Sequence, residues 1–166
     1  MLPDKEMTFL GEGLWTAASI GWTDELGRLL TEGANIEEKN PSGSRALHCA
    51  SRLGDVRAVK FLLGQGAEVN VQTKHGETAL HYAATGAHIS TARRGSHSAI
   101  VRMLLDNRAL VHLKTTDGAT PLLGAALQGR GAAVQMLLEK NADPNLKTND
   151  LLTPLFVACA AYHPEP

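Results

Sequence analysis

Aromatic side chains are scarce, at 4% of 166 residues. A core must therefore be made of leucine, alanine and valine, which suits thin layers of closely packed helices. Charge of one sign is also missing. Sixteen Lys and Arg stand against seventeen Asp and Glu, for a formal net charge of −1. That balance argues against a general nucleic-acid binder held by phosphate contacts. No apolar run approaches the ~20 residues of a membrane-spanning helix. Met1 to Leu10 carries Asp and Glu and no apolar block, so it does not read as a signal peptide. Cysteine is nearly absent, with Cys49 and Cys159 alone. The rest of the composition, 43% hydrophobic and 20% charged, is that of one ordinary globular domain.

What the sequence does have is a unit that recurs, clearest from Gly43 to Lys74. Gly43 allows a turn. Leu47, Ala50 and Ser51 share one face of a short helix, and Gly54-Asp55 interrupts it. Val56, Val59, Leu62 and Leu63 then recur at helical spacing on a second helix, which Gly66 ends. Neither helix can stand alone, so the unit needs neighbours. Gly43-x-x-Ala46-Leu47-His48-x-Ala50 returns 33 residues on as Gly76-x-Thr78-Ala79-Leu80-His81-x-Ala83. It returns a further 42 residues on as Gly118-x-Thr120-Pro121-Leu122-x-x-Ala125, one period plus nine extra residues. The second halves agree as Val59-x-x-Leu62-Leu63, Val101-x-x-Leu104-Leu105 and Val134-x-x-Leu137-Leu138.

This pattern resembles the ankyrin repeat, with its 33-residue period and T-P-L-H-x-A signature. The resemblance covers the chain from about Leu14 onward and implies an all-α solenoid of stacked helix-turn-helix units with turns projecting from one edge. Residues 1–13 form an irregular N-terminal segment. The repeats fall at about 14–40, 41–72, 73–114 with an insertion at 86–95, 115–147, and a half repeat at 148–166. The two cysteines lie more than three repeats apart. With stacked helices ~8–10 Å apart, they are too distant to bridge, and both read as reduced packing residues of an intracellular protein.

Each repeat departs from the signature somewhere. The first lacks its opening turn and holds both tryptophans, Trp15 and Trp22, which read as a lid over the first core layer. In the second, Arg45 replaces the Thr whose hydroxyl caps the first helix in the family; it is free to reach solvent or a partner. In the third, Gly86 to Gly95 reads as an exposed loop between the two helices, dispensable for folding. In the fourth, Leu123 replaces the His. In the fifth, Leu151 stands at the Gly position, so this turn is expected to differ in conformation.

Catalytic chemistry is not in view. His75, His81, His88 and His97 cluster in the third repeat without the Cys or carboxylate partners of a zinc site; His81, within the repeat motif, reads as structural. No nucleophile elbow and no Gly-rich phosphate loop occurs, and no cofactor is implied. The resemblance implies instead a module that binds a partner protein on its concave face. Carried over residue by residue, that face comprises Arg52, Leu53, Lys74, His75, Glu77, Thr85, Thr116, Asp117, Ala119, Leu127 and Gln128. Neither nucleic acid nor membrane is expected as a partner. Two further readings are a targeting or regulatory segment of a larger enzyme or signalling protein, and a small hydrolase using the histidines. Finally, the apolar run Leu155 to Ala161 lacks the polar outer face of a capping helix. Its inner side is expected to carry Leu155, Ala158 and Cys159. Its outer side implies end-to-end self-association or further repeats downstream.

Overall fold

The structure, a computed structural model, describes residues 13–86 and 94–161. Among these it contains nine helical segments, turns and no strand. The helices are α1 (13–20), α2 (Thr23–Thr31), α3 (Ala46–Leu53), α4 (Val56–Gly64), α5 (Ala79–Thr85), α6 (Arg94–Asp106), α7 (Pro121–Leu127), α8 (Gly131–Glu139) and α9 (Pro154–Ala161). The first helices α3, α5, α7 and α9 stack in one row and the second helices α2, α4, α6 and α8 in another. The expected all-α solenoid is therefore present.

The apolar rows explain the stacking. Each short helix buries one stripe: Leu47 and Ala50 on α3, Leu80, Ala83 and Ala84 on α5, and Leu122 and Ala125 on α7. The second helices bury Val59 and Leu62, Val101 and Leu104, and Leu137, so the layers meet mainly through aliphatic side chains. Trp15 packs against this core, as a lid would, but Trp22 is 63% exposed and covers nothing of the kind.

The break between the two helices follows a common rule. Val59, Val101 and Val134 fix the register, and in it Asp55, His97 and Arg130 occupy one position, the N-cap of α4 and α8 and the first turn of α6. Each lies over the break glycine of the preceding repeat. A methyl group on Gly21 would sit 3.0 Å from Asp55 Oδ2, on Gly54 2.6 Å from His97 Cε1, and on Gly86 2.9 Å from Arg130 Nη2. Arg130 also donates to the Gly86 carbonyl at 3.0 Å. The nine-residue insertion does not disturb this order. Helix α6 begins at Arg94, so Arg94 and Gly95 are helical where a loop is expected, and Gly86 is buried. Residues 87–93 of the expected loop lie outside the described residues.

Three further expectations are corrected. Arg45 is turned away from solvent. Its guanidinium pairs with Glu37 and, at 3.0 Å, with Glu68, joining the loops that follow the first and second repeats. Glu37 also accepts the Glu68 backbone N–H at 2.8 Å. Arg45, a donor only, does not cap α3 as the hydroxyl would; the carboxylates of the flanking loops hold it instead. Second, the turn at Leu151 does not differ in conformation. Leu151 adopts φ +64°, and the hydrogen bonds Thr148 N–H to Leu152 O and Leu151 N–H to Thr148 O match those closed by Gly118. Third, α9 turns Pro154 and Val157 inward, while Leu155 and Cys159 are exposed. Cys159 is therefore not a packing residue, whereas Cys49 is buried. Leu155 corresponds to Leu122, which is covered by α8; among the described residues no second helix covers α9.

Candidate protein-binding surface

The turns that open each repeat are tied to one another by main-chain hydrogen bonds. Lys74 N–H donates to Ser42 O at 3.1 Å, Thr116 N–H to His75 O at 2.9 Å, and Asn149 N–H to Asp117 O at 3.0 Å. The tips therefore form a row at fixed spacing, with Lys74, His75, Thr116 and Asp117 all exposed along it.

Behind the third tip the first helix α5 is capped by a threonine and a histidine. Thr78 Oγ1 accepts the His81 N–H at 3.4 Å, and the Thr78 N–H donates to His81 Nδ1 at 3.1 Å. The other ring nitrogen, Nε2, donates to the carbonyl of Ala119 at 3.2 Å, in the next turn. His48 repeats the histidine half of this arrangement, accepting from Arg45 N–H at 3.1 Å and donating to Val71 O at 3.0 Å. A carbonyl can only accept, so Nε2 carries the proton and both rings are neutral. Burial pushes the pKa of each below the usual histidine value. His81 is thus structural, as the repeat motif implies. His97 faces Gly54 and the Arg52 carbonyl instead, so the histidines do not converge. His88 lies outside the described residues. Among the described residues no group of three or more His, Cys, Asp or Glu is placed to hold a metal ion.

Between the third and fourth repeats the surface opens into a groove of about 380 Å³. It brings together His75, Glu77, Thr85, Thr116, Asp117, Ala119 and Leu127 of the predicted surface. The other predicted residues are not part of it. Lys74 flanks it on the turn tip, and Arg52 is exposed one repeat away. Leu53 is half-buried, with its Cδ2 3.2 Å from where a methyl on Gly21 would lie, so it serves the packing of the first two repeats. Gln128 is half-buried at the end of α7.

Sequence reasoning missed Tyr82 and Gly124. Tyr82 donates to Glu77 Oε2 at 2.5 Å, and its ring meets that of His48 edge-on with centroids 6.1 Å apart. Burial, with the Glu77 carboxylate adding to it, pushes the phenol up to about 12. Gly124 keeps the floor open: a methyl there would fall 2.7 Å from Thr85 Cγ2. The available signal was that both occupy the position after the motif histidine, which varies between repeats. The groove thus offers two carboxylates, Glu77 and Asp117, beside an apolar wall of Pro121, Leu123 and Leu127, and among the described residues no Lys or Arg lines it.

The family model for ankyrin repeats (3 copies) matches residues 14–94 and again 88–165. The chain belongs to the ankyrin-repeat family, whose repeats are in general protein–protein interaction modules and whose fold is typically non-enzymatic. No curated protein matches the chain. Among the described residues no helix is long and apolar enough to cross a membrane.

Proposed function

We propose that the protein binds a partner protein on its concave face, with the groove between the third and fourth repeats at the centre of recognition. The observation that carries this is the convergence of exposed turn-tip residues with a groove that is acidic on one side and apolar on the other. A complementary segment presents Lys or Arg to Glu77 and Asp117, and an apolar side chain to Leu127. The surface performs no chemical step. Lys74 and Arg52 extend the same face toward the second repeat and suit an acidic residue further along the partner.

The test is a photo-crosslinking residue placed at Leu127, with a second placed at Lys60 on α4 as the control. A partner captured from position 127 and not from 60 should then lose binding at least tenfold with Asp117→Lys or Leu127→Asp. Both substitutions are at exposed positions, where stability changes are usually within ~0.5 kcal/mol. A partner that binds both variants as tightly as the parent would place recognition elsewhere.

A further inference from the structure

The third repeat carries a pair of side chains that the other turn-and-helix units lack. Glu77 stands where the other turns have Ser44, Ala119 and Leu152. Tyr82 stands where α3, α7 and α9 have Cys49, Gly124 and Val157. The stack itself therefore needs neither a carboxylate nor a phenol at these positions. The two are joined: the Tyr82 hydroxyl donates to Glu77 Oε2 at 2.5 Å. Thr73 Oγ1 lies 3.5 Å from the same oxygen and accepts the Glu77 N–H at 3.2 Å. One oxygen of the carboxylate is thus fixed by hydroxyls. The other, Oε1, has no hydrogen bond among the described residues.

Glu77 is also a half-buried carboxylate without a counter-charge. Glu37, half-buried too, holds Arg45. Among the described residues no Lys or Arg pairs with Glu77; Arg52 and Lys74 are exposed and make no ion pair with it. Taking a carboxylate out of water is costly unless a cation meets it. A carboxylate already held in place also spares a ligand the cost of ordering it. Asp117 differs. It is exposed, and its carboxylate makes no ion pair among the described residues. A charge on the rim steers a partner more than it holds one.

We propose, building on the groove's role in partner binding, that Glu77 is the anchor of the site, that Tyr82 positions it, and that it takes one lysine side chain of the partner. A single free oxygen does not suit the two-pronged fork of arginine. An ammonium is a point charge with three rotatable donors and meets it well. Acetylation of that lysine removes the charge and with it the recognition.

The probes are four pools of acetylated peptides about nine residues long, alike except for a central Lys, Arg, ε-acetyl-lysine or Leu. They are passed over the immobilised full chain, and the best-retained member of the Lys pool is resynthesised and titrated by anisotropy. The Lys pool should be retained best. Glu77→Gln should weaken the Lys peptide at least tenfold. Asp117→Asn should weaken it less than threefold and make its binding less sensitive to salt. Tyr82→Phe frees the second oxygen, so the preference for Lys over its Arg counterpart should narrow. Glu77→Gln retains an acceptor for the phenol and Tyr82→Phe retains the ring; far-UV circular dichroism checks that both are folded. Better retention of the Arg pool, full binding by Glu77→Gln, or a Lys-to-Arg ratio that Tyr82→Phe leaves unchanged would overturn the proposal. If Leu127→Asp still abolished binding in those cases, the groove would remain the binding site. Equal retention of all four pools, or binding that Leu127→Asp does not weaken, would remove the groove's role and the lysine anchor together.

Discussion

His97 lies against Gly54 so closely that a methyl group on the glycine would fall 2.6 Å from Cε1 of the imidazole. Gly54 also holds φ +80°. The insertion-bearing repeat is thereby keyed to the repeat before it through one ring and one missing side chain. Gly54→Ala should lose about 1–2 kcal/mol from backbone conformation alone, and more because the ring must move. Gly66→Ala is the control, with φ +83° and nothing within 4 Å of the new methyl. In urea unfolding Gly54→Ala should be the worse by about 1 kcal/mol or more. His97→Ala should shrink that gap in a double-mutant cycle. Equal losses at the two glycines would show that the ring yields freely.

Leu151 is a leucine in a conformation that glycine holds elsewhere in this chain. A left-handed non-glycine residue costs of order 1–3 kcal/mol, while glycine loses roughly 0.4–1 kcal/mol through its freer unfolded chain. The first term is the larger. Leu151→Gly should therefore raise stability by about 0.5–1 kcal/mol, read as a higher urea midpoint at constant slope. A lower midpoint would mean that the exposed leucine makes a contact that outweighs its strain.

The two motif histidines predict an acid dependence. Both have folded-state pKa values depressed by burial, against about 6.5 in the unfolded chain. Between those values the unfolded state binds more protons, so stability falls as pH drops below about 6.5. Above that pH these groups contribute no slope. Adding a proton to Nδ1 would also turn it against the N–H of Arg45 or Thr78 that it now accepts. Unfolding free energies measured between about pH 5 and 8 should show this decline. The double variant His48→Leu, His81→Leu should flatten it, since Leu123 fills the same position in the fourth repeat. A slope unchanged in the double variant would assign the effect to other groups.

The fold was legible because its signal is periodic. The Gly, Ala-Leu-His and Val-x-x-Leu-Leu positions recur in phase, and each is where the stack needs a turn, a cap or a buried row. The lining of the candidate groove was legible in part, for a different reason. Turn-tip positions can be counted from the period, which found His75, Glu77, Thr116 and Asp117. Whether a side chain at the end of a first helix faces the groove or the neighbouring layer depends on packing that counting does not give, so Leu53 and Gln128 did not join them. Arg45 was misread because its partners are far off in sequence: Glu37 in the loop before and Glu68 in the loop after. Leu155 and Cys159 were misplaced because one face was assigned from an α9 sequence that is apolar on all sides and so carries no directional signal.

The turn tips are strung together by amides and carbonyls: Ser42 to Lys74, His75 to Thr116, Asp117 to Asn149. A peptide group is the same whatever side chain it bears. Apart from Asn149, whose side-chain amide also donates to Thr116 O, mutation can therefore rewrite the exposed letters at these positions without loosening the thread that spaces them. A lineage of such proteins could drift from one partner to another through a run of single substitutions, every intermediate still folded. The scaffold would carry no memory of the partner it had left.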